Sequence, residues 1–167
     1  MSRRFRFLLV AGIASLSALV LPAGREACAQ QVGSLSNTSG LSFGKFVAGT
    51  GGTVTVSPTG AAAKTGGVFL LKSSITTAAQ FSVIKSGSGK PLKTVSFILP
   101  SDTAVRLTSG SNSMAVTNFV SSPAATPGNS YPAASTSAIS VGATLQVAPN
   151  QPPGNYSGTF TLIANFQ

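Results

Sequence analysis

Ser42-Phe43-Gly44-Lys45 has S-x-x-K spacing, in which a lysine amine can take the proton of a nucleophilic serine. Lys64-Thr65-Gly66 matches the K-T-G element of penicillin-recognising enzymes, and Ser101-Asp102-Thr103 approximates their S-D-N. The chain order argues against that chemistry, because K-T-G precedes the S-D element and Ser42 falls in a strand pattern rather than at a helix start. Ser82-Val83-Ile84-Lys85 repeats the S-x-x-K spacing, which arises cheaply in a chain with 25 serines among 167 residues. Gly87-Ser88-Gly89-Lys90 has the look of a phosphate cradle, yet Ile84 stands where a P-loop needs glycine and Pro91 follows the lysine. A hairpin turn is the expectation there, and a turn leading into a strand is expected for Gly49-Thr50-Gly51-Gly52.

The inventory excludes more than the motifs suggest. There is no His, a single Cys (Cys28) and two acids, Glu26 and Asp102. Imidazole bases, His-based metal sites and oxygen-ligand calcium cages are therefore out of reach. A carboxylate pair for glycoside hydrolysis is missing as well, since Asp102 is the only acid beyond residue 29. No catalytic, cofactor-binding or metal-binding residue is nominated, and the expectation is a non-enzyme without cofactors. Lectins commonly present exposed aromatic faces to sugars. Here Trp is absent and both tyrosines, Tyr131 and Tyr156, fall late in the chain. Asn37-Thr38-Ser39 and Asn155-Tyr156-Ser157 are formal glycosylation sequons.

The elements that would position any site begin after an address. Arg3, Arg4 and Arg6 form a positive n-region, Phe7 to Leu21 is an uncharged apolar run, and Ala27-Cys28-Ala29 is a small-x-small cleavage pattern. That order reads as a secretory signal peptide over residues 1–29. Its removal takes four arginines and Glu26, lowering the net charge from +9 to about +6. The remaining basic residues are dispersed, without the basic stripe and interleaved aromatics that nucleic acid requires. Export also removes the only Cys, so the remainder must hold itself together by core burial without a disulfide.

Beyond residue 30 the apolar period is two. Residues 30–40 read as a short N-terminal extension and 41–167 as a single domain. Leu41 to Phe46 alternates as a first strand, Thr53 to Ser57 alternates up to Pro58, and Val68 to Leu71 is a compact apolar run. Phe81 to Ile84, Val95 to Leu99, Ala104 to Leu107, Met114 to Phe119 and Ala143 to Val147 follow, each bounded by Gly, Ser, Asn or Pro. Short strands at this spacing predict an all-β antiparallel sandwich or barrel. The clearest alternation closes the chain: Tyr156, Gly158, Phe160, Leu162, Ala164 and Phe166 share one face, and Ser157, Thr159 and Thr161 lie on the other. One long strand is expected there. Ser121 to Ala138, with Pro123, Pro127 and Pro132, reads as a long loop.

Four phrases carry a family resemblance. Leu41 to Gly49 has the form L-x-F-G-x-x-x-A-G, and Gly52 to Val56 reads G-T-V-T-V. Val141 to Val147 reads V-G-A-T-L-x-V, and Pro153 to Leu162 reads P-G-x-Y-S-G-T-F-T-L. In these the chain resembles the bacterial domain-of-unknown-function family 4402 over roughly residues 35–167. That family is similar, in its closing strand and export signal, to spore-coat-U-like subunits of archaic chaperone–usher pili. The resemblance implies an immunoglobulin-like antiparallel β-sandwich, periplasmic, cell-surface or extracellular, and it carries no catalytic residues. It implies protein partners: a second copy, or a chaperone or usher. Related chains often begin with an alternating apolar extension suited to strand donation. The segment here is a poor donor, because its apolar residues Val32 and Leu35 fall on opposite faces of a regular strand.

The expectation is an exported structural subunit of the cell surface, pilus-like in assembling through sheet edges, with no stable membrane span in the mature chain. A secreted or periplasmic binding module for a glycan or a protein is the second reading. Cleavage after Ala29 predicts an exported protein that begins at Gln30 and has no thiol. N-terminal sequencing of exported material checks this; a start before residue 25 or an acylated Cys28 would refute it.

Overall fold

The computed structural model describes residues 32–86, 91–126, 130–133 and 136–167. Residues 1–29, read from the sequence as a signal peptide, and Gly87 to Lys90, where a hairpin turn was expected, lie outside the described residues. Alternating apolar runs cut by Gly, Pro and Ser give an all-β antiparallel structure. In chain order the strands are β1 (Val32–Ser39), β2 (Phe46–Val47), β3 (Gly52–Val56), β4 (Ala62–Gly66), β5 (Phe69–Leu70) and β6 (Ala79–Ser86). They continue as β7 (Thr94–Ile98), β8 (Val105–Ser109), β9 (Asn112–Ser122), β10 (Tyr131–Pro132), β11 (Ala138–Val147) and β12 (Ile163–Phe166).

β11 organises the large sheet, and most of it is buried. One of its edges pairs with β9, and β9 pairs in turn with β8. Its other edge is shared: Ala138 to Val141 pair with β6, and Ala143 to Val147 pair with β3. β1 extends the sheet beyond β6, and β4 extends it beyond β3. The handover between β6 and β3 falls at Gly142, whose backbone lies against Val56, Ser57 and Pro58 where the chain leaves β3. A side chain would block that approach.

At the same level β9 carries a bulge. Gly142 pairs with Val120 and Thr144 with Thr117, so three steps of β9 oppose two of β11. Asn118 takes a positive φ of 48° there, and its N–H donates to Asp102 Oδ1 at 2.6 Å. The bulge changes the phase of the strand. Met114 and Val116 point inward before it, and Phe119 rather than Asn118 does so after it. The acid that found no catalytic partner in the sequence serves this irregularity.

The small sheet, in the order β10-β7-β12, packs over the β6 half of the large one. Val95, Phe97, Ile139, Val141, Ala79 and Val83 form the core between them. A second core lies under the β3, β8 and β9 half and contains Val54, Val56, Met114, Val116, Leu145 and Val147. Among the described residues no sheet larger than two strands covers it. The chain over it consists of residues 41–48, the short β2–β5 ribbon and residues around Tyr156 and Phe160. On the outer face of the large sheet, hydroxyls pair across strands: Thr53 with Thr65 at 2.7 Å and Thr55 with Thr144 at 2.9 Å. Such pairs satisfy polar groups without charge.

Five sequence expectations change. The closing segment is a strand only over Ile163–Phe166. Ser157 bridges to Thr108 beside β8, whereas Ile163 pairs with Ile98 of β7, so residues 158–162 cross between sheets and lack a ladder on either side. Its side-chain alternation survives the crossing, with Phe160, Leu162, Ala164 and Phe166 half-buried and Thr159 and Thr161 exposed. The alternation expected from Leu41 to Phe46 is reversed midway, because Gly44 has a φ of 74° and lets both Phe43 and Phe46 turn inward. The extension at 30–40 supplies β1, which is hydrogen-bonded along β6. β4 was absent from the expected strands because its A-A-K-T-G sequence is exposed throughout and has no apolar period. The long loop before β11 contributes β10 and buries Ala133 and Thr136.

The Gly142 contact makes a direct prediction. Gly142→Ala drives a Cβ into the Val56–Pro58 backbone and costs about 1–3 kcal/mol. Gly40→Ala meets nothing within 4 Å and leaves thermal stability nearly unchanged. Equal melting temperatures for the two variants would refute the handover.

Candidate functional site

The uncovered core opens to solvent as a trough. Its floor is apolar: Leu107, Met114 and Leu145 at one end, and Phe81, Val116 and Phe119 at the other. One wall is the chain from Asn37 to Gly49, and the other is the segment from Asn150 to Phe160. Two adjoining cavities, of about 990 Å³ and 300 Å³, share Leu41, Phe43, Leu107 and Gly158.

Each wall is anchored on its outer side and open on its inner side. Ser42 exchanges both backbone hydrogen bonds with Thr77, at 2.9 and 3.1 Å. Ser157 does the same with Thr108, at 3.1 and 2.8 Å. In an extended chain the residues flanking such a pair direct their N–H and C=O groups to the opposite edge. Those residues are Leu41 and Phe43 on one wall and Tyr156 and Gly158 on the other. Among the described residues their backbone groups have no hydrogen-bond partner, and neither do those of Thr159 to Leu162. Buried or half-buried backbone without partners is costly, and an added extended chain would satisfy it.

The far wall is preorganised. Tyr156 Oη donates to Pro152 O at 2.8 Å and accepts from Gln151 Nε2 at 2.8 Å. The Tyr156 hydroxyl is therefore engaged within its own loop. Phe160 leans over the floor, 5.4 Å from Phe119 and 6.0 Å from Phe81 between ring centroids. Tyr131 lies elsewhere: its ring stacks on Phe97 at 6.1 Å and its hydroxyl donates to Ala124 O at 2.6 Å. A pocket rimmed by both tyrosines does not form.

The residues with catalytic spacing are separated by the fold. Ser42 Oγ donates to Ile75 O and accepts from Gly44 N, each at 3.2 Å, while Lys45 is exposed. Lys64 stands on the edge strand β4 with its amine 5.2 Å from the centre of the Phe69 ring. Asp102 holds the Asn118 bulge, and Ser82 lies within β6 opposite Ser36 of β1. The walls of the trough were not visible in the sequence as a site, because a free backbone edge has no residue signature. Gly44 was the one available signal, since a glycine inside a strand pattern marks a bend or a close approach.

Residues 34–166 match the family described as domain of unknown function DUF4402, and the chain belongs to it. No curated protein and no solved structure matches the chain.

Phe160 closes the trough without being fully buried, and its neighbour points outward. Phe160→Ala lowers stability by about 2 kcal/mol, less than the roughly 3–5 kcal/mol of a fully buried ring. Thr159→Ala stays within about 0.5 kcal/mol. Thermal melts of both variants check this, and equal losses would overturn the assignment of faces.

Proposed function

We propose that this DUF4402 chain is an exported, non-enzymatic building block of the cell surface, pilus-like in accepting an extended strand from a neighbouring chain. The observation that carries the reading is the trough, an apolar floor between two walls with unpaired inner backbone edges. A strand laid between them would hydrogen-bond to both walls and direct alternate side chains onto the floor. On this reading the domain is an immunoglobulin-like sandwich short of one strand. The positive, apolar and small-residue order of residues 1–29 supports export to the periplasm or beyond. A periplasmic chaperone or usher would be the partner that covers the trough before assembly.

The chain's own N-terminal segment is occupied, since Val32 to Ser39 pair with β6. The donated strand therefore comes from a chain with stricter apolar alternation, or from β1 of a second copy after it leaves β6. The second reading, a binding module for a glycan or a protein, is favoured by the size of the larger cavity, about 990 Å³.

Size-exclusion chromatography with light scattering distinguishes the two. The exported protein should form concentration-dependent oligomers, and Leu41→Asp, on the trough wall, should remain a folded monomer. Stable monomers with and without residues 30–40 would sink strand acceptance and leave the binding module.

A further inference from the structure

The β2–β5 ribbon turns a second face outward, away from the core. Val47 pairs with Phe69, Phe46 pairs with Leu70, and Leu71 N donates to Lys45 O at 3.0 Å. Phe46 and Leu70 pack on the core, so alternation sends Lys45, Val47, Phe69 and Leu71 to the opposite side. All four are exposed, Val47 at 52% and Phe69 at 60%. The loop after β5 continues the same surface. Ser74 Oγ accepts from Lys45 N at 2.6 Å, which holds that loop beside Lys45, and the next residue, Ile75, is 76% exposed. Lys72 is exposed in the same loop, and Lys64 reaches in from β4 to stand over the Phe69 ring.

Half of the exposed large apolar side chains among the described residues thus gather in one stretch, interleaved with three lysines. Asp102, the one carboxylate side chain among the described residues, is engaged at Asn118. Contiguous exposed apolar surface on a soluble domain marks an interaction site. The charge complementarity selects its partner. Aliphatic and aromatic tips flanked by lysines, with no acid among them, suit a surface whose interior is apolar and whose headgroups are anionic. A soluble polyanion would use the lysines and leave Phe69 and Ile75 in water.

We infer that the outward face of the β2–β5 ribbon docks on an anionic lipid surface, inserting Phe69, Leu71 and Ile75 while Lys45, Lys64 and Lys72 bind headgroups. Lys45 and Val47 also border the trough, so the test uses positions outside it. The exported protein is sedimented with vesicles of phosphatidylglycerol and phosphatidylcholine, and with phosphatidylcholine alone. Binding is expected to the first and to be weak for the second, and to fall with added salt. Lys64→Glu and Lys72→Glu should each lower partitioning at least about fivefold, the factor expected for losing one lysine near an anionic surface. Phe69→Ser and Ile75→Ser should also weaken it without lowering the melting temperature. Binding indifferent to lipid charge, or unchanged in Lys72→Glu, would overturn the proposal. So would capture by dextran sulfate in the absence of any affinity for vesicles.

Discussion

The shared edge of β11 is the constraint on which the rest of the molecule depends. A strand has two edges, and β11 divides one of them between β6 and β3 while keeping β9 along the other. That division splits the interior into two cores under one sheet. It requires a residue without a side chain at the handover, which Gly142 provides, and a compensating bulge in β9, which Asn118 and Asp102 provide. Bulges concentrate where a sheet must bend or re-aim side chains. Here the result is that Phe119 reaches the boundary between the cores and meets Phe160.

The two cores are closed differently, and the difference produces the trough. Over the β6 half, β7 and β12 lay a regular sheet whose inner faces interdigitate with Ile139 and Val141. Over the β3 half the cover is irregular chain, anchored at single bridges by Ser42 and Ser157. The closing segment serves both halves in turn, beginning beside β8 and ending beside β7. A segment that changes sheets must give up one ladder before joining the next, so its backbone is free at the crossing. That freedom begins at Gly158 and runs over the apolar floor of Phe81, Val116 and Phe119, so unpaired polar edges and open apolar surface coincide.

Among the described residues one carboxylate, Asp102, helps to hold the fold, at the Asn118 bulge. On the outer face of the large sheet polar groups are satisfied by hydroxyl pairs such as Thr53 with Thr65 and Thr55 with Thr144. The lysines are thereby left for the periphery. On the β2–β5 ribbon the inward side, Phe46 and Leu70, seals the core, and the outward side combines Phe69 with Lys64. One short ribbon thus has a structural face and an exposed face that is both apolar and basic.

The all-β class and the inward face of most strands were legible in the sequence, because period-two alternation in β3, β6, β7 and β9 reports burial on one side of an extended chain wherever it is regular. The alternation of Phe160, Leu162, Ala164 and Phe166 was legible for the same reason, and it held even where the ladder did not. Tertiary structure alone decided what those extended chains pair with. Backbone hydrogen bonding has no side-chain signature, so the sheet change after Ser157, the exposed strand β4 and the pairing of β1 with β6 could not be read from residue types. The phase reversal at Asn118 was hidden, and the one at Gly44 was signalled only by a glycine inside a strand pattern, because a single positive φ, set by packing on both sides, shifts every side chain beyond it to the other face. The candidate site is made of those features, two free backbone edges and two phase reversals, so it came into view only when the distant segments 41–49 and 150–160 were brought to the same floor.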